Sequence, residues 1–152
     1  MNPFEKHNGL FLNGKFYPKN ELDKFIDKEP DDSFVKEILI FAHLLFNHNE
    51  YLTFQTSGST GKPKQLNFSK NAIYASAQLT NRFFDLKKGK RALLSLPMIY
   101  VAAKMMVARA LIGEYELISI SPGSKPLQPG LNFHFAPFTP FQFEEIANHQ
   151  LK

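Results

Sequence analysis

The sequence predicts an α/β protein in which a mainly parallel sheet is flanked by helices and preceded by a short β-hairpin. Three observations carry this expectation. After residue 50, short β-rich runs alternate with stretches of helical periodicity, the order that puts a helix between neighbouring parallel strands. Near the start, an Asn13-Gly14 pair between two apolar runs marks a hairpin. A hydrophobic fraction of 43% over 152 residues suffices for one buried core.

In chain order, residues 9–17 read as two strands around Asn13-Gly14, because Asn and Gly tolerate the positive φ of a type I′ turn. Pro18 is expected to stop the second strand and Asn20 to cap a short helix running to Asp27. Ser33 then starts a helix over 34–46. Its apolar residues Phe34, Val35, Ile38, Leu39, Ala42, Leu45 and Phe46 follow helical spacing, and Ile40 and Phe41 suggest burial on more than one face. A strand is expected over 51–55 and a second over 65–68. Ser69 caps a helix reaching about Phe84, with Ile73, Ala77, Leu79, Phe83 and Phe84 among its apolar positions.

Residues 91–96 read as a buried strand ended by Pro97, and residues 101–112 as a helix with Gly113 placed to end it. Strands follow over 115–120 and 131–135, separated by a surface loop at 121–130 rich in Pro and Gly. Thr139-Pro140-Phe141-Gln142 fits a capping box for a last helix, with Pro at the first helical position. The organisation expected is an N-terminal hairpin and helices over 1–50, then an α/β subdomain over 51–152.

Composition narrows the chemistry. The absence of cysteine excludes disulfides, Cys-type zinc sites and thiol catalysis, and fits a cytoplasmic location. Residues 1–8 show no signal-peptide pattern, and no run approaches the about 20 apolar residues of a membrane span. A net charge of +4 suits an anionic ligand, but acids interleave with the basic residues, so a solvated surface is favoured over a nucleic-acid partner. Sixteen Phe and no Trp point to a Phe-packed core.

The string Thr56-Ser57-Gly58-Ser59-Thr60-Gly61-Lys62-Pro63-Lys64 is the most informative stretch. Its glycines let a backbone approach an anion closely, successive N–H groups in such a turn converge on it, and hydroxyls and lysines add donors and charge. The P-loop of ATPases does not fit. That motif needs a wider glycine spacing and a Lys followed directly by Ser or Thr, whereas Pro63 follows Lys62 here. Composition by itself leaves a Ser/Gly/Thr linker equally open.

The ordered string resembles the signature phosphate loop of the adenylate-forming (AMP-binding) ligase superfamily, which includes acyl- and aryl-CoA ligases. Thr53 departs from the larger apolar residue usual there. The resemblance continues through Leu96-Pro97-Met98-Ile99-Tyr100, the apolar segment from Val101 to Leu111, and Pro140-Phe141-Gln142, and covers roughly residues 51–146. Leu96-Pro97-Met98 with Tyr100, and Lys104-Met105-Met106-Val107 with Arg109, resemble most the o-succinylbenzoate–CoA ligases of menaquinone synthesis.

The resemblance implies the N-terminal portion of the acyl-CoA synthetase-like fold. It implies ATP and Mg²⁺ as cofactors, CoA as co-substrate and a small-molecule carboxylate as substrate. Thr56, Ser57, Gly58, Ser59, Thr60, Gly61 and Lys64 would hold nucleotide phosphates, with Lys62 solvated. Tyr100, Lys104 and Arg109 are weaker substrate-binding candidates, against the alternative that Lys104 and Arg109 only form a polar helix face. Met105 and Met106 read as core filling, and His134 is left unassigned. No protein metal ligand is singled out.

The family's aromatic-Gly-x-Thr-Glu motif, its ribose-binding Asp and its C-terminal lid domain with the adenylation lysine are not found. The chain is therefore expected to be an N-terminal piece with little or no ligase activity alone, self-associating through an exposed sheet edge. A silent nucleotide- or anion-binding module and a purely structural domain are the other readings.

Overall fold

The computed structural model describes residues 1–55 and 64–150, with the backbone alone described at 149 and 150. A hairpin opens the chain, β1 (Gly9–Leu12) pairing antiparallel with β2 (Lys15–Pro18). Asn13 and Gly14 take φ of 50° and 77°, as the expected turn requires. A 3₁₀ turn over Lys19–Glu21 leads into α1 (Leu22–Ile26). The N-cap of α1 is Glu21 with no side-chain bond, so Asn20 does not cap it; the 3₁₀ turn displaces the helix start.

The longer α2 (Phe34–Phe46) begins as expected, Ser33 Oγ accepting from Lys36 N at 3.3 Å. Phe41 is buried beside the main apolar stripe, but Ile40 is 42% exposed, so burial widens by one position only. Its C-terminus is tied down by Asn2 and Lys70. Asn2 Nδ2 donates to Leu45 O and Asn47 O at 2.9 and 3.0 Å, and Lys70 Nζ donates to Asn47 O and Oδ1 at 2.6 and 2.8 Å. A cation at this end also meets the negative pole of the helix. Burial lowers the Lys70 ammonium pKa.

Strands β3 (Tyr51–Gln55) and β4 (Gln65–Ser69) form an antiparallel ribbon, and Ser69 caps α3 (Lys70–Phe83), accepting from Ala72 N at 3.2 Å. On α3 only Ile73 and Ala77 of the expected apolar positions are buried; Leu79, Phe83 and Phe84 are exposed. Then come β5 (Arg91–Leu94), α4 (Val101–Gly113), β6 (Glu116–Ser119) and α5 (Pro140–Gln150).

The main sheet runs β2-β1-β6-β5, with β1–β6 and β6–β5 parallel and β1–β2 antiparallel. Residues on both sides of position 50 therefore share one sheet. The expected strand at 131–135 contracts to a bridge between Ala92 and Phe135, flanked by Leu93 N to Phe135 O at 2.8 Å. The ribbon of β3 and β4 forms a second, two-stranded sheet apart from the parallel one.

Helix α4 is the centre of the molecule. It packs on β1, β5 and β6 and is flanked by α2 and α3. Ala103, Met105, Met106, Val107, Ala108, Ala110 and Leu111 are all buried, which places the two methionines in the core. Gly113 closes the helix rather than following it, and Glu114 takes the left-handed position at φ 53°. The glycine is needed for space. A Cβ there would lie 2.6 and 2.8 Å from the Tyr115 ring and 2.9 Å from Asn81 Nδ2.

Two predictions follow from this packing. Gly113→Ala should destabilise the protein by about 1–3 kcal/mol in urea unfolding, since overpacking against the buried Tyr115 ring outweighs the better helix propensity of Ala. A stabilised variant would show that the ring gives way. Burial chiefly, and Lys6 secondarily, hold the His7 imidazole below its ordinary pKa of 6.5, against the opposing pull of Glu114. The folded state thus binds fewer protons there than the unfolded chain. Stability should be full above pH 6.5 and fall as pH drops through the folded pKa, and His7→Gln should flatten that part of the pH profile.

Candidate functional site

The expected phosphate-binding residues Thr56, Ser57, Gly58, Ser59, Thr60 and Gly61 lie outside the described residues, as does Lys62. What the structure describes is the base on which they stand. Gln55 and Gln65 are paired across β3 and β4, so both ends of the 56–64 segment leave from adjacent backbone positions. Lys64, exposed, is the residue before β4. The base is held by packing: Phe54 is buried, its ring 5.9 Å from Phe41 and 5.4 Å from Phe68. Across the ribbon, Thr53 Oγ1 donates to Asn67 Oδ1 at 2.7 Å. The small polar Thr53 thus has a cross-strand partner that a larger apolar residue could not provide.

A bridge between Gln55 and Tyr100 brings the segment after β5 against this base. Leu96 and Met98 are buried and fix that segment from below, and Tyr100 N bonds to Pro97 O at 3.1 Å. Tyr100 is the N-cap of α4, with no side-chain cap bond, and is 42% exposed.

One helical turn on, Lys104 lines a pocket of about 330 Å³ together with Phe41 and Leu44 of α2, Leu52 of β3, and Met98 and Ile99. Its ammonium sits 5.3 Å from the Phe54 ring centre and 5.8 Å from that of Phe41. Among the described residues no carboxylate lies within ion-pair distance of it, although Glu37 lines the same pocket. Burial in this apolar setting lowers its pKa, since the rings compensate only part of the lost hydration. The arrangement, a mostly apolar pocket with a part-desolvated cation and the Glu37 carboxylate on its wall, suits an apolar or aromatic ligand with a polar group that Lys104 can meet.

Arg109 is not part of this pocket. It lies further along α4 on the side of α3, where Asn81 Nδ2 donates to the Arg109 carbonyl at 2.8 Å. Its Nη1 reaches Met106 Sδ at 3.8 Å, and burial lowers its pKa while Tyr115 raises it. Tyr115 in turn is pushed up by burial. The structure therefore brings Tyr100 and Lys104 to the loop base and leaves Arg109 in a separate cluster with Asn81 and Tyr115. His134 holds the sheet edge, its Nδ1 accepting from Arg91 N at 3.2 Å and its N donating to Arg91 O at 2.8 Å.

No protein-family model matches the chain, and no curated protein matches it. Among solved structures, an acyl-CoA synthetase (AMP-forming)/AMP-acid ligase II-like protein from Dyadobacter fermentans superposes over 88% of this chain. The TM-score is 0.75 and the identity 27%. The chain shares the fold of the N-terminal part of AMP-forming acyl-CoA synthetases. It spans 38% of that protein's length. Shorter likenesses reach o-succinylbenzoate coenzyme A synthetase from Bacillus subtilis, with 22% identity, 47% of this chain, 15% of that one and a TM-score of 0.43. The N-terminal domain of FACL13 from Mycobacterium tuberculosis gives 30% identity, 49% of this chain, 19% of that one and a TM-score of 0.45. Likenesses this partial say nothing about substrate.

The Lys104 setting makes its own prediction. Lys104→Met, which keeps the stem and removes the part-desolvated charge, should raise stability at pH 7 in urea unfolding, by an amount limited by the hydration the ammonium keeps. The folded pKa of Lys104 is lowered from 10.5, so the wild type regains stability as pH rises toward that value. The advantage of the variant should shrink accordingly. An advantage that is absent at pH 7 would mean that the ammonium is not desolvated.

Proposed function

We propose that this chain provides the phosphate-binding and substrate-facing part of an ATP-dependent, AMP-forming acyl- or aryl-CoA ligase. The observation that carries the reading is the 56–64 string placed on the paired Gln55 and Gln65 of a synthetase-like fold. In the reaction, a substrate carboxylate oxygen attacks the α-phosphorus of ATP, forming an acyl-adenylate and releasing pyrophosphate. The thiol of CoA then attacks the acyl carbon, loses its proton, and AMP leaves as the thioester forms.

In this proposal Thr56, Ser57, Gly58, Ser59, Thr60 and Gly61 supply backbone and hydroxyl donors to the β- and γ-phosphates. Lys64 adds charge that favours pyrophosphate as it leaves. Mg²⁺ would arrive on the nucleotide phosphates, which supply its hard oxygen ligands. Tyr100 and Lys104 would face the acyl substrate. Arg109, off the pocket, has a weaker claim, limited to CoA phosphates or a distal carboxylate.

The finer assignment is o-succinylbenzoate–CoA ligase of menaquinone synthesis, supported by the Leu96-Pro97-Met98 and Lys104-Met105-Met106-Val107 sequence pattern and by a largely apolar pocket in which Lys104 could meet a carboxylate of an aromatic acid. A cytoplasmic location agrees with that chemistry, and no helix among the described residues is long and apolar enough to cross a membrane. Residues 51–152 carry the nucleotide-facing part of this proposal, on a sheet that β1 and β2 complete. For this chain taken by itself the proposal is nucleotide binding without turnover.

Titration of Mg-ATP and of Mg-pyrophosphate into the wild type and Lys64→Ala tests the reading. Saturable binding should weaken by about tenfold in the variant, the worth of one charge-assisted phosphate contact. Absence of binding by the wild type would refute the phosphate-loop assignment. A thioester formed by the purified chain from ATP, o-succinylbenzoate and CoA would refute the expected lack of turnover.

A further inference from the structure

We infer that Gln142 is a positioning residue that couples the start of α5 to the base of the phosphate loop. The inference rests on the loop assignment above for its functional meaning, while its structural content stands on geometry alone. Gln142 is 5% exposed and its side chain is fully engaged. Its Oε1 accepts from Thr139 N at 3.1 Å, and its own N donates to Thr139 Oγ1 at 3.1 Å, the two halves of a capping box. A cap needs nothing more. Yet Nε2 also donates to Ser95 O at 3.1 Å and to Gly123 O at 2.9 Å.

Those two bonds tie three segments distant in sequence. Ser95, fully buried, is the first residue after β5, at the point where the backbone leaves the strand ladder and its carbonyl needs another donor. Gly123 lies in the 121–130 loop, which contributes neither strand nor helix. With both Nε2 protons and Oε1 in use, the amide has one orientation, and the Ser95 carbonyl has one place to be.

From Ser95 the path to the loop is short and packed. Leu96 and Met98 are buried, Pro97 O receives Tyr100 N at 3.1 Å, and Tyr100 bridges Gln55, which is followed directly by Thr56. Met98 and Ile99 also line the Lys104 pocket. A displacement of Ser95 therefore reaches the loop base and the pocket wall through close-packed backbone rather than through a free linker.

The test compares Gln142→Met with Thr139→Ala in the full chain. The first keeps side-chain length and removes both Nε2 bonds together with the Oε1 acceptor of Thr139 N; the second removes the other cap bond, to Thr139 Oγ1, and leaves the Nε2 bonds. Backbone amide ¹H–¹⁵N signals of Gln55 and Tyr100 should move in Gln142→Met and stay in place in Thr139→Ala, even though both variants lose stability. Mg-ATP affinity should fall by about tenfold in the first and hold in the second, a coupling of ordinary size. Unmoved amides in Gln142→Met, or equal movement in both variants, would overturn the inference. Where Gln142→Met does not fold, Gln142→Asn keeps a neutral amide that is one methylene too short to hold Thr139 N and reach Ser95 O together, and the same amides decide. If the wild type binds no Mg-ATP, the loop assignment fails, and the amide shifts still decide the coupling.

Discussion

The structure depends on the burial of one helix. Apolar and small side chains surround α4 on every side that meets β1, β5, β6, α2 or α3, so this helix has no position in water other than the centre of the molecule. Each neighbour then has a face to cover. The parallel pair β5 and β6 exists because α4 is the crossover between them, and the hairpin is recruited when β1 adds to β6. Even the terminus of α4 is set by contact. Gly113 is required by the Tyr115 ring and the Asn81 amide, not by a left-handed turn.

The same helix places the candidate site. Its first turn carries Tyr100 and Lys104 to the base of the 56–64 segment, and the segment leading into it is pinned from behind by Gln142. Lys104 is there at some cost in hydration, a part-buried cation over two phenylalanine rings with no carboxylate at ion-pair distance among the described residues, although Glu37 lines the same pocket. Stability would be better served by an apolar residue. A ligand anion would make up that deficit, which gives the pocket a chemical preference before any substrate is named.

Much of this was legible in the residues. The bounds of α2 and the caps at Ser33, Ser69 and Thr139 follow from local hydrogen bonding, which acts within one turn and needs no tertiary context. The Asn13-Gly14 turn is legible for the same reason, and the strand ends at Gln55 and Gln65 from composition, while their antiparallel pairing is not. Other features were not. Leu79, Phe83 and Phe84 follow helical spacing but face outward, since periodicity finds a stripe without saying whether anything covers it. Residues 131–135 have strand composition and make one bridge, because a strand needs an edge along its whole length and composition cannot count edges. Lys104 and Arg109 looked alike on one helix, yet one reaches a pocket and the other packs toward α3.

By itself the sequence determined the alternation of elements, the caps, the tight turn and the chemical character of the 56–64 string. These are properties of neighbouring residues, and their energies are settled within a few bonds of chain. Only the tertiary structure decided that Lys70 serves the end of α2, that Gln142 reaches Ser95 and Gly123, and that Tyr100 meets Gln55. Such pairings join residues far apart in the chain. A long polar side chain carries no mark of which distant carbonyl it will satisfy until packing around α4 has removed the water that would otherwise satisfy both.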